Sequence, residues 1–176
     1  AVFGTPSITG GVGTVSVTFE TAGGESVIIS ETATPTINGA SGNISVGAGA
    51  ASPLVINASP ASLSAGQATS LTITAEDAFG NLATGFHDTV TLGDSLSGAS
   101  FGAVSFSGGL ATVSGTLEHA GTQTITATDT SAGNTVSSAT TGALAVTAAG
   151  LSHLEISTAP GSLTAGNSTT VAFTAE

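Results

Sequence analysis

The chain has neither lysine nor arginine among its 176 residues. Only 6% of the residues are charged, and the eleven Asp and Glu give a formal net charge of -11. Without a fixed cation the protein can form no Lys or Arg ion pair and cannot neutralise phosphates. That excludes nucleic acid as a partner and makes anionic lipid surfaces poor ones. Eleven carboxylates spread over this length leave most of the exterior to Ser, Thr, Asn and Gly, so the surface is neutral and polar. Cysteine is absent as well, so no disulfide holds the fold, and the lack of lysine rules out a Lys–Asn isopeptide crosslink. Stability has to come from packing and backbone pairing. Aromatic residues make up only 4%, so the core must be built from Val, Ile, Leu and Ala.

Long apolar runs are missing too. Mean hydropathy is positive, but Gly, Ser or Thr interrupts each apolar stretch well before the roughly 18 residues that a membrane-spanning helix needs. No membrane insertion is expected. The first residues, "AVFGTPSITGG", lack the charged start and continuous apolar core of a signal peptide. If the protein is exported, its signal lies upstream or has been removed.

What the chain does have is internal repetition. Leu54, Ile56, Pro60, Ser62, Leu63, Ala65, Gly66, Thr69, Thr74, Ala75 and Glu76 recur as Leu154, Ile156, Pro160, Ser162, Leu163, Ala165, Gly166, Thr169, Thr174, Ala175 and Glu176, an offset of 100 residues. A second correspondence links "VFGTPSITGGVGTVSVTFETAGG" near the start to "SFGAVSFSGGLATVSGTLEHAGT" in the middle. Phe3 matches Phe101, Gly10 matches Gly108, Glu20 matches Glu118 and Gly23 matches Gly121, an offset of 98. The expected organisation is the C-terminal part of one repeat over 1–52, a complete repeat over 53–150 and the N-terminal part of another over 151–176. Strands separated from their sheets lose partners for their backbone and apolar faces. Either the chain is a window from a longer repeat polypeptide, or its partial ends complete each other between neighbouring subunits by strand complementation. The terminal pieces together lack an equivalent of "DAFGNLATGFHDTVTLGDSLSG", which favours the window.

Period-two alternation dominates the repeat. It runs through "SLTITAE" (Leu71, Ile73, Ala75), "DTVTLGD" (Val90, Leu92), "LATVSGTLE" (Ala111, Val113, Gly115, Leu117) and "TQTITATD" (Ile125, Ala127). Each reads as a half-buried strand. Turn signals separate them: "SAGQ" at 64, "DAFGN" at 77, "SGG" at 107, "HAGT" at 119 and "SAGN" at 131. No convincing helical periodicity is present. About seven short strands per repeat, at turn spacings near ten residues, predict an all-β fold of tandem antiparallel immunoglobulin-like sandwiches.

The opening Pro and "AG" turn, the "A-x-D-x-x-G-N" segment (Ala75, Asp77, Gly80, Asn81), the Val-rich strand after it and the closing "AGTQTITATD" (Ala120 to Asp129) resemble bacterial Ig-like repeats of the invasin/intimin class. Such repeats occur in tandem in large surface adhesins and extracellular filament proteins. The resemblance covers the central repeat and both partial ones, and implies an extracellular or cell-surface location. This chain departs from the family in having no Lys or Arg, so the resemblance does not extend to receptor recognition through a basic surface.

Chemistry-bearing clusters are scarce. The "EDAFGN" loop places Glu76, Asp77 and Asn81 together, and Asp88 or Asp129 could join them as hard oxygen ligands for calcium at a domain junction. The plainer expectation is that Asp77 bonds its own turn backbone while Gly80 and Asn81 supply left-handed geometry. No "DxDxDG" spacing occurs. His87, His119 and His153 are isolated and read as turn or surface residues. No "GxSxG" elbow is present, and no helix follows "SGG" or "AGG" to bind phosphate. Asn43, Asn57 and Asn167 begin N-x-Ser/Thr sequons, close to what a chain this rich in Ser and Thr gives by chance. No catalytic, cofactor or metal site is expected, and the chain is not expected to be an enzyme.

The function these readings favour is architectural: a structural repeat of a surface fibre or adhesin stalk that partners other copies or repeats. Strands such as "VGTVSVTFE" carry almost none of the charges that usually guard sheet edges, and a chain without Lys or Arg gives trypsin-like proteases no cleavage site. The alternative is an Ig-like display module that binds carbohydrate or a host protein, with calcium assistance.

Overall fold

The computed structural model describes residues 1–133 and 136–175. The turn expected at 131–134 ends outside the described residues at Asn134, and Glu176 is outside them too. Among the described residues every regular element is a strand.

The first eight strands are short: β1 (Val2–Phe3), β2 (Ser7–Thr9), β3 (Val12–Thr14), β4 (Val17–Thr18), β5 (Gly23–Glu25), β6 (Ile28–Ser30), β7 (Asn38–Ala40) and β8 (Ile44–Val46). They pair two by two as β1-β4, β2-β3, β5-β8 and β6-β7. Ten more strands follow in the middle: β9 (Leu54–Ser59), β10 (Ser62–Ser64), β11 (Ala68–Ala75), β12 (Val90–Asp94), β13 (Ser100–Phe101), β14 (Leu110–Thr116), β15 (Gly121–Gln123), β16 (Ile125–Asp129), β17 (Ala139–Thr140) and β18 (Leu144–Thr147). β19 (Leu154–Thr158) and β20 (Ala172–Ala175) form a final antiparallel pair.

The middle strands build a two-layer sandwich. One sheet has the order β13-β14-β11-β9, and the other is made of β12-β16-β17 and β10-β18-β15. Strand β10 runs parallel to β18, and the other pairs of named strands are antiparallel. The two sheets face each other as the layers of an antiparallel β-sandwich. The ten segments reduce to seven strands because three of them are interrupted. The first changes sheets between Ser59 and Ser62, across Pro60, which has no N–H to give a ladder. The "TQTITATD" strand breaks at Thr124, and its neighbour breaks opposite it, where Thr141 bridges the gap: Ile125 N donates to Thr141 Oγ1 at 3.0 Å and Thr141 N to the Ile125 carbonyl at 2.9 Å.

Alternation decides which side chains enter the core. Leu71, Ile73 and Ala75 on β11 are fully buried, while Ser70 and Thr72 on the opposite face are exposed and Thr74 is half-buried. They meet Leu54 and Ile56 from β9, Ala111 and Val113 from β14, and Ile125, Ala127, Leu144 and Val146 from the facing sheet. Phe86 and Phe106 pack edge to face, with ring centroids 4.8 Å apart and planes at 87°. Every buried hydrophobic side chain lies between Leu54 and Val146 among the described residues.

The flanking strands repeat the central pairing residue by residue. β1 and β4 align Val2 with Thr18 and Phe3 with Val17; β13 and β14 align Ser100 with Thr116 and Phe101 with Gly115, the same register displaced by 98. The β2–β3 hairpin closes at Thr9 and Val12, and its counterpart closes at Ser107 and Leu110. In both hairpins two glycines adopt the paired positive φ of a type I′ turn, 61° and 80° at Gly10 and Gly11 and 60° and 79° at Gly108 and Gly109. β6 pairs β7 as Ile28 with Ala40, and β16 pairs β17 as Thr126 with Thr140, an offset of 98 on one strand and 100 on the other. The two extra residues of the central repeat therefore lie in the loop after Asp129. At the far end Leu154 aligns with Ala175 and Ile156 with Phe173, displaced by 100 from Leu54 with Ala75 and Ile56 with Ile73.

Candidate functional site

The "EDAFGN" loop meets the strands that precede the central sandwich. Asp77 is almost fully buried, 3% exposed, and its carboxylate is saturated. Oδ1 accepts the backbone N–H groups of Phe79 and Asn81, both at 2.9 Å, and Asn81 Nδ2 at 3.1 Å. Oδ2 accepts Gly49 N at 2.8 Å and Asn81 Nδ2 at 2.9 Å. The Gly49 contact ties the loop to the segment that leads in from the preceding strands. Asn81 goes further: its Nδ2 donates to the Glu20 carbonyl at 2.7 Å, and its Oδ1 accepts Ala22 N at 2.9 Å. One amide thus satisfies a carbonyl and an N–H from a stretch about sixty residues earlier. Val46, Gly49, Phe79 and Phe19 line a cleft of about 280 Å³ beside it.

The turn forms as the sequence leads one to expect, with one correction. Gly80 N donates to the Asp77 carbonyl at 3.1 Å and Gly80 has φ +81°. Asn81 is not among the residues with positive φ; its side chain, not a left-handed backbone, is what the junction uses. Sequence inspection had no local signal for this, since the partners Glu20 and Ala22 belong to another repeat.

Donation from the Asn81 side chain and then from Gly49 N holds the Asp77 carboxyl well below the usual carboxylate range, against the opposing effect of burial. The same N–H donors occupy the lone pairs a cation would need. A carboxylate offers about four acceptor positions, and Asp77 already receives five hydrogen bonds. Among the described residues no three His, Cys, Asp or Glu side chains gather as a metal site. Glu76 accepts a long 3.5 Å bond from Thr74 Oγ1.

Asp129 has a separate role. Its Oδ1 accepts Ser131 N and its Oδ2 accepts Val136 N, both at 2.9 Å, organising the loop between β16 and β17. Burial works to raise its pKa, and the Val136 and Ser131 backbone donors outweigh it, so the net shift is downward. Glu31 occupies the matching position in the first repeat and accepts Ala33 N at 3.0 Å and Thr34 N. Its pKa is lowered, chiefly by the Ala33 N–H.

The histidines are dispersed. His87 and Asp88 line an open cleft of about 420 Å³ with Phe86 and Val136. His119 is exposed, and its carbonyl accepts Gln123 Nε2 at 2.8 Å. His153 Nδ1 lies 3.0 Å from Ser152 Oγ. Asn43, Asn57 and Asn167 are all exposed.

A second feature is a pair of open sheet edges. In the central sandwich β14 lies between β13 and β11. Among the described residues its counterparts β3 and β4 have a strand on one side only. Beneath them Phe3, Pro6, Ile8, Val15, Val27 and Ile29 line a cleft of about 530 Å³. Among the described residues β20 likewise pairs only with β19.

No family model matches the chain, and no curated protein matches it. A solved structure of domains 1-6 of the surface layer protein SbsC is similar, with 20% identity and a TM-score of 0.40, over 77% of this chain and 18% of that one.

Proposed function

We propose that this protein is a structural repeat unit of an extracellular surface fibre or adhesin stalk, with no catalytic role, and that it assembles through strand-edge and domain–domain contacts. The observation that carries this reading is the Asn81 clip. A stalk must transmit orientation from one repeat to the next, and here a single amide joined to a buried carboxylate fixes the preceding strands to the sandwich. Two further observations support it. The flanks reproduce the central register, as consecutive units of one repeating body would. Exposed β edges are not guarded by any lysine.

In this reading the lack of Lys and Arg is an adaptation to long exposure outside the cell, where trypsin-like proteases act. Light scattering and negative-stain microscopy of the purified chain over a wide concentration range test the assembly. Concentration-dependent growth into elongated particles is expected; separated monomers at high concentration would refute it.

A further inference from the structure

We propose that the outer face of the β12-β16-β17 sheet binds ice, through a grid of threonines that holds its first layer of water in positions continuous with the ice lattice. This activity is separate from the structural role above and belongs to the central sandwich itself.

The grid follows from alternation. Val90, Ile125, Ala127 and Asp129 are buried, so the residues that alternate with them point outward. These are Thr89 and Thr91 along β12, Thr126, Thr128 and Thr130 along β16, and Thr140 on β17; Thr126 is half-buried and the other five are exposed. The register sets them side by side. Thr91 lies opposite Thr128 and Thr140 opposite Thr126. Thr130 N donates to the Thr89 carbonyl at 2.9 Å and so extends the ladder by one more pair. Gly93 faces Thr126 from the other side and raises no side chain above the plane. The carboxylates of these strands, Asp94 and Asp129, fall at the inward positions of the alternation. Hydroxyls are thus repeated at about 6.7 Å along a strand and about 4.8 Å between strands. Both repeats are close to those of the oxygen atoms on a prism face of ice.

The hydroxyls are also held in place. Thr126 Oγ1 and Thr140 Oγ1 lie 3.0 Å apart, Thr91 Oγ1 donates to the Thr128 carbonyl at 3.4 Å, and Thr130 Oγ1 donates to the Thr89 carbonyl at 3.1 Å. A hydroxyl that donates inward keeps lone pairs to accept from water outside. Rotamers fixed beforehand spare the ordering entropy that a floppy polar surface loses on binding.

The same features argue against other occupants. The grid carries no charge for an ion or a charged polymer, and none of its residues is an aromatic ring on which a sugar could stack. A dissolved ligand gains little from neutral hydroxyls, because each bond to it replaces one to water. Ice escapes that competition: its surface is neutral like the grid, and water is itself the ligand.

The chain is frozen slowly into an ice hemisphere on a cold finger, and amino-acid analysis compares the ice with the remaining liquid. The unmodified chain should concentrate in the ice, and single ice crystals grown in its solution should become faceted. Thr128→Tyr, which raises a ring at the centre of the grid, should be excluded from ice as an ordinary solute is. Thr72→Tyr, on the outer face of the opposite sheet, should be incorporated like the parent. Thermal unfolding checks that both variants fold, and Thr91→Tyr on the neighbouring strand replaces Thr128→Tyr if that variant does not. Exclusion of the unmodified chain overturns the proposal. So does incorporation of the grid variants, or equal loss in Thr72→Tyr. Retention on insoluble polysaccharide, or self-association abolished by Thr128→Tyr, without incorporation into ice gives the face to another occupant and overturns it as well.

Discussion

Asn81 Nδ2 lies 2.7 Å from the Glu20 carbonyl while Asn81 Oδ1 accepts Ala22 N at 2.9 Å, so one side chain closes a two-point contact between the central sandwich and the strands before it. A backbone amide satisfied by a side chain on another unit reports on the docking of those units. Asn81→Ala should therefore lower hydrogen-exchange protection at Ala22 by roughly ten- to a hundredfold, the equivalent of losing a partly buried hydrogen-bonded pair worth about 1–3 kcal/mol. The amides of Leu71 and Ile73 should keep theirs. Unchanged protection at Ala22 would show that the clip does not hold the junction.

Asp77 links the same junction to pH. Its folded pKa is depressed, so the stability it adds is present above the ordinary carboxylate value of about 4 and is lost as pH falls through the folded value. Acid also relieves repulsion among the other carboxylates, so the informative quantity is a difference. The gap in Tm between the parent and Asp77→Asn should be constant from about pH 7 to 5 and close progressively below about pH 4. Differential scanning fluorimetry across that range decides it; a gap that widens in acid would contradict the assignment.

The two equivalent hairpins provide an internal control for backbone strain. Gly11 and Gly109 share a φ near +80°, but a Cβ at Gly11 would meet nothing within 4 Å, while at Gly109 it would lie 2.6 Å from the Ala83 carbonyl oxygen. Gly11→Ala should cost only the left-handed penalty of about 1–2 kcal/mol. Gly109→Ala must add a clash with backbone, and its loss in denaturant unfolding should exceed that figure clearly. Similar losses at the two sites would mean that the loop carrying Ala83 yields freely.

Much of this architecture is legible before any coordinates. The alternation of Leu71, Ile73 and Ala75 announces a strand with one face inward, and two paired offsets announce the repeats, because local patterns are enough for both. Interruptions within strands are not legible: the break at Thr124 depends on Thr141 bonding across it from another strand. The Asn81 clip is hidden for a similar reason, since "GN" reads as a turn whatever its side chain touches. The unguarded edge of "VGTVSVTFE" was visible as composition, but its apolar cleft emerges only when Phe3, Val15 and Val27 are brought together by pairing.

Gln123 offers the most severe test of the core. It is 2% exposed, its Nε2 donates to the His119 carbonyl at 2.8 Å, and its Oε1 has no hydrogen-bond partner among the described residues. The side chain is tolerated because it is neutral and satisfies that carbonyl. Gln123→Glu keeps the shape, removes the donor and adds a charge at a place where no cation exists to meet it. At pH 7 it should destabilise the sandwich by more than about 3 kcal/mol, beyond the usual cost of an unsatisfied neutral group. Burial raises the pKa of such a carboxyl. The damage should therefore shrink as pH falls through that raised value, because the protonated acid is neutral and can donate to the His119 carbonyl again. Urea unfolding at pH 7 and pH 5 measures both effects, and a loss that is small at pH 7 or indifferent to pH would mean that water reaches position 123.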